Sequence, residues 1–135
     1  MEPEIIQFSK AIGATEPAET DEIYRLYRSV FKEQNYFRHP GGLMVVKISR
    51  SQKPFWGLTK EIVSLLNEHF SYNVILLKSA HQGWAFTKSE VNDHIDRKSW
   101  RLDSKGLQYK INMPLPEDRM FISPKHCLKK LGLDA

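Results

Sequence analysis

Two runs of β-favouring residues, Leu43–Ser49 and Tyr72–Ser79, do most to restrict what this chain can become. Val45, Val46 and Ile48 in the first and Val74-Ile75-Leu76-Leu77 in the second are too apolar for an exposed edge. Both runs therefore belong near the centre of a sheet. Between them Leu58, Ile62, Leu65 and Leu66 recur at helical spacing, which predicts an amphipathic helix over Leu58–Phe70.

The elements around this unit follow from punctuation and periodicity. Ile5, Phe8 and Ile12 share one face of a helix over about Pro3–Ile12, with Gly13 as its stop. A longer helix is expected over Thr20–Gln34, with Ile23, Leu26, Tyr27, Val30 and Phe31 as its apolar stripe. Arg38-His39-Pro40-Gly41-Gly42 breaks it. After Tyr72–Ser79, Ala80-His81-Gln82-Gly83 turns the chain back into Trp84-Ala85-Phe86-Thr87. Thr87-Lys88-Ser89-Glu90 has the pattern of a capping box and opens a helix over Lys88–Asp96. Leu107–Met113 alternates with period two and pairs back onto Trp100–Leu102 around Asp103-Ser104-Lys105-Gly106. Arg119–Ile122 is a last short strand, and Ser123-Pro124 starts a closing helix that Gly132 ends.

These elements make an α+β protein, a mixed or antiparallel sheet of about five strands with helices packed on it. A ferredoxin-like βαββαβ core with N-terminal helices and a C-terminal hairpin fits the order of its first part. A mixed sheet of the nuclease α/β type competes with it. The length of 135 residues fits a single domain, residues 1–135. Within it, 1–38 is a helical N-terminal segment, 43–122 the sheet-containing core and 123–132 a short C-terminal helix. Cys127 is the only cysteine, so internal disulfides and cysteine-rich zinc sites are excluded. No apolar run approaches the roughly 20 residues of a membrane span. With an acidic Met-Glu-Pro-Glu start, the expectation is a cytoplasmic or nuclear protein with no membrane partner.

Charge is unevenly spread. Residues 1–33 hold seven acids and four bases, a balance of −3, whereas residues 34–135 hold nine acids and sixteen bases, +7. A basic body of this kind points to a polyanionic partner. The stretch Lys47–Lys60 carries four cations and no acid, with Phe55 and Trp56 adjacent. Phosphates need cations or free N–H groups, and unpaired bases need flat rings. Arg50 and Lys53 are candidates for the first, Phe55 and Trp56 for the second. A second cluster, Arg97, Lys98, Trp100 and Arg101, repeats that composition, and Lys105 and Lys110 extend it through the hairpin. A third patch joins Arg119 to Lys125, His126, Lys129 and Lys130. The expected function is nucleic-acid binding, to DNA or RNA, through basic, aromatic-flanked loops. No cofactor and no metal is expected.

Two rivals stand beside it. The aromatic N-terminal helix, with Tyr24, Tyr27, Phe31, Tyr36 and Phe37, would make the chain a protein-interaction subunit or homodimer. Asp93 and Asp96, three apart on one helix, with His81 in a turn, would make a small metal-dependent nuclease or phosphodiesterase. Asp103-Ser104-Lys105 has the letters of a nuclease pair but falls in a turn. The acidic N-terminal segment is also placed to fold across the basic surface and shield it.

Overall fold

The centre of the protein is a five-stranded mixed sheet whose two faces are both covered. The computed structural model describes residues 2–28 and 35–133, apart from the side chain of Ile23. Helix α1 (Pro3–Ala11) and the short α2 (Glu22–Leu26) precede strands β1 (Tyr36–Phe37), β2 (Leu43–Ile48) and β3 (Phe55–Thr59). Then come α3 (Lys60–His69), β4 (Tyr72–Leu77), β5 (Gly83–Thr87) and α4 (Lys88–Asp96). Strands β6 (Arg101–Leu102) and β7 (Gln108–Asn112), a 3₁₀ turn (Glu117–Arg119), β8 (Met120–Phe121) and α5 (Pro124–Lys130) complete the chain.

The large sheet has the order β1-β2-β4-β5-β8, with β2 and β4 parallel and the other neighbours antiparallel. The two apolar runs are its central parallel pair, Leu43 opposite Tyr72 through Ile48 opposite Leu77. Alternation along them feeds two cores. Leu43, Val45, Val74 and Leu76 face a cluster with Ile62, Val63 and Leu66 of α3 and Val91 of α4. Met44, Val46, Ile75 and Leu77 face Ile5 and Phe8 of α1, Ile12 at its C-cap, and Cys127 and Leu131 of the C-terminal segment. Burial on both sides is why neither run carries a polar phase.

Several expectations need correction. The parallel strands β2 and β4, which precede and follow α3 in the large sheet, lie side by side, whereas a ferredoxin-like split unit would insert a third strand between its parallel pair. The segment 1–38, read as helical, contributes strand β1 from Tyr36 and Phe37, both buried. The long helix expected over Thr20–Gln34 is helical at Glu22–Leu26, and Val30 and Phe31 lie outside the described residues. The largest departure is β3. Phe55–Thr59, read as loop and helix start, is a strand antiparallel to β7, and β6-β7 is the predicted hairpin. Together they form a second sheet, β3-β7-β6. Leu58 fits the helical phase of Ile62 and Leu65, and that coincidence hid the five-residue alternation of β3.

The predicted caps are in place. Glu90 N–H donates to Thr87 Oγ1 at 3.3 Å and Thr87 N–H to Glu90 Oε1 at 2.9 Å, closing the capping box of α4. Ser123 Oγ accepts from His126 N–H at 3.1 Å, with Pro124 at the first helical position of α5. Among the described residues no helix is long and apolar enough to cross a membrane.

Candidate nucleic-acid interface

The second sheet has one dry face and one open face. Trp56, Leu58 and Ile111 point into the core shared with the large sheet. Directly paired residues of an antiparallel sheet project on the same side. The register therefore places Phe55 beside Asn112, and Gly57 beside Lys110, on the outer face. Lys110 is in turn directly opposite Arg101. The Gln108 amide lies over Gly57, where a Cβ would come within 2.7 Å of its Oε1. The glycine leaves this part of the face low. Phe55 is 64% exposed, an unusual position for a phenylalanine.

A cleft of about 750 Å³ opens at one end of this face. Lys53 and Phe55 line it from the segment after β2, Lys78 from the end of β4, and Asn112 and Met113 from the end of β7. No carboxylate is among its lining residues. Two hydrogen bonds tie down the segment that enters it. Ser49 N–H donates to Leu77 O at 3.0 Å, and Phe55 N–H donates to Ser49 Oγ at 3.2 Å. The cleft lies beyond the carboxyl ends of the parallel strands β2 and β4. That is where open α/β sheets hold ligands, because the connecting loops diverge there.

No family model, curated protein or solved structure matches this chain. The chemistry of its own residues therefore carries the functional reading.

The sequence-predicted residues divide sharply. Lys53 and Phe55 reach the cleft, and Arg101 reaches the open face. Lys105 is exposed in the hairpin turn beyond it. Trp56 and Trp100 do not serve as stacking platforms, because each is only 3% exposed. Trp56 donates from Nε1 to Leu77 O at 3.2 Å and meets Trp84 edge-on, 5.6 Å between centroids. Trp100 stacks on His94 at 4.7 Å, with its edge toward Phe86. Burial holds the His94 imidazole below its ordinary pKa, and Arg97 adds to the effect. Arg97 itself is paired with Asp93 at 2.8 Å. Arg50 is engaged by α1. Its Nε and Nη2 donate to the two oxygens of Glu4 at 2.7 and 2.6 Å, and Nη2 also donates to Glu2. The guanidinium holds the Glu4 carboxyl below the usual carboxylate range.

Lys98 has a backbone cost. It sits at φ 61°, the left-handed position that closes a Schellman motif. Its N–H donates to Ile95 O and that of Ser99 to His94 O. Its carbonyl accepts from Arg101 Nε at 3.1 Å, which ties one edge of that guanidinium to the turn. Lys98→Gly is expected to raise stability by about 0.5–1 kcal/mol, measured by denaturant unfolding. An unchanged or lower stability would mean the lysine side chain makes a compensating contact.

The third patch is partly consumed by the fold. Arg119 donates to Ala85 O at 2.9 Å and Lys130 O at 2.8 Å, and pairs with Glu90 at 3.1 Å. The acid–base candidates are dispersed. Asp93 is tied to Arg97, Asp96 is exposed on α4, and His81 is exposed in the β4–β5 turn. Asp103 accepts from Leu107 N–H at 2.8 Å, and that bond leads the lowering of its pKa. Among the described residues no group of three or more His, Cys, Asp or Glu side chains can hold a metal ion. Burial pushes the Cys127 thiol up to about 12, so it is protonated and inert at neutral pH.

Sequence reasoning missed Lys78 and Asn112. Lys78 follows a buried strand and reads as its solvated end. Asn112 carried a signal, being in phase with Gln108 and Lys110 on the polar side of β7.

Proposed function

We propose that this chain binds nucleic acid on the open face of β3-β7-β6, with the cleft at its end as part of the same surface. The observation that carries the reading is the direct cross-strand pairing of Arg101 with Lys110 beside the exposed ring of Phe55. Like charges placed directly opposite each other destabilise a sheet. An anion lying over both would relieve that repulsion. Phosphates supply the anion, and bases supply a partner for the ring. Lys53 and Lys78 extend the cationic track into the cleft, and the overall charge of +4 favours the encounter.

The test is anisotropy of labelled DNA and RNA across salt concentrations, for the wild type and for Arg101→Ala with Lys110→Ala. Each lost phosphate contact reduces the slope of log affinity against log salt by about 0.7–0.9. The double variant should therefore flatten it by about 1.4–1.8. It should also bind more weakly while unfolding no more easily than the wild type. An unchanged slope, or no binding by the wild type at low salt, overturns the proposal.

The rival readings draw less support from the geometry. Of the aromatics assigned to a protein-docking helix, Tyr36 and Phe37 are buried in β1, and Tyr27 packs on His69 and Phe70. Phe31 lies outside the described residues.

A further inference from the structure

The cleft differs from the sheet face in shape, and the difference bears on which nucleic acid is bound. We infer that the cleft lined by Lys53, Phe55, Lys78 and Asn112 seats one unpaired nucleotide, so that the chain selects single-stranded over duplex nucleic acid. The inference rests on the proposed nucleic-acid reading and narrows it.

Three observations converge on it. The volume of about 750 Å³ lies within the range of small-ligand pockets, about 300–1,000 Å³, which suits a nucleotide. Duplex DNA is read by convex elements that enter a groove, whereas this site is concave. The polar groups also divide by chemistry. Lys53 and Lys78 come from different loops and offer two ammonium groups to one phosphate. The Phe55 ring offers its face to a base. Asn112, in register with Phe55 and on the same side, offers an amide with both donors and an acceptor to the base edge. A base inside a duplex has both faces covered by its neighbours, so only an unpaired base can lie on Phe55.

The test compares a labelled single strand, the same strand annealed to its complement, and an abasic strand of equal length, at one salt concentration. Wild type should bind the single strand at least about tenfold more tightly than the duplex. Phe55→Ala should weaken single-strand binding about 5- to 150-fold, the range of one base–aromatic stack. The variant's salt slope and duplex affinity should be unchanged. The abasic strand should bind wild type as weakly as the normal strand binds the variant, and Phe55→Ala should not weaken it further. Phe55 is exposed, so the variant should keep the wild-type melting temperature. Equal affinity for single strand and duplex, with a salt slope still dependent on Arg101 and Lys110, overturns the inference and leaves the broader proposal standing. Equal losses on all three ligands also overturn it. No binding to any of them overturns both.

Discussion

Trp56→Ala is expected to destabilise the protein by about 3–5 kcal/mol, the usual cost of truncating a large buried aromatic. Total stabilities are about 5–15 kcal/mol, so a loss of this size leaves little margin. The indole sits where the two sheets meet. It projects from β3 into the core beneath the large sheet, touches Trp84, and bonds the carbonyl that ends β4. Leu58 and Ile111 are the other side chains of the second sheet that are fully packed there. Losing the indole would loosen that sheet's hold as well as leaving a void. Trp56→Phe separates the contributions. It keeps most of the ring and removes one hydrogen bond, worth about 0.5–1.5 kcal/mol. Leu77 O still accepts from Ser49 N–H, so no buried carbonyl is orphaned. Urea unfolding measures both variants. A cost below about 1 kcal/mol for Trp56→Ala would show that the ring does not seal the two sheets. Trp56→Phe should bind nucleic acid like the wild type, the opposite of Phe55→Ala.

Phe55 and Trp56 also mark how far the sequence could be read. Adjacent aromatics beside lysines fit a binding loop, and composition cannot separate their roles. Strand phase separates them, because neighbours on a strand point to opposite faces. That phase became visible only once β3 paired with β7, about 50 residues later in the chain. The central strands needed no such partner to be legible. Their apolar character follows from burial on both faces, and local composition reports that directly. The caps at Thr87 and Ser123 were legible for a similar reason, since a cap is made within four residues. Trp100 was harder. Its burial depends on the left-handed turn at Lys98, where a lysine stands in place of the glycine that signals such a turn. Arg50 is the opposite case, placed in the basic loop by sequence and then occupied by carboxylates 46 and 48 positions away. Only the charge asymmetry between the chain's two parts hinted at that contact.

That contact leads to the last prediction. Glu2→Gln with Glu4→Gln should tighten nucleic-acid binding about tenfold at about 50 mM salt and steepen the salt slope by about 0.9. Arg50 stands immediately before the segment that lines the cleft, yet two carboxylates surround its guanidinium. A phosphate approaching Nε or Nη2 of Arg50 must displace Glu4 or Glu2, and one approaching the other guanidinium nitrogen meets a charge that two carboxylates already offset. The substitutions free one cation, and one further phosphate contact contributes that much slope. The Glu4 carboxylate stays charged well below neutral pH, because its hydrogen bonds with Arg50 lower its pKa. The pairing persists across the physiological range and weakens only as pH falls through that lowered value. Stability should barely change, since exposed ion pairs contribute little and α1 is anchored by Ile5, Phe8 and Ile12. Anisotropy at several salt concentrations, with Arg50→Ala added to the double variant, decides the matter. Tighter binding that disappears with Arg50→Ala identifies the acidic turn of α1 as a shield over the basic loop. Tighter binding that survives Arg50→Ala would mean the carboxylates repel the ligand directly, without masking Arg50. Unchanged binding in the double variant would place Arg50 outside the interface.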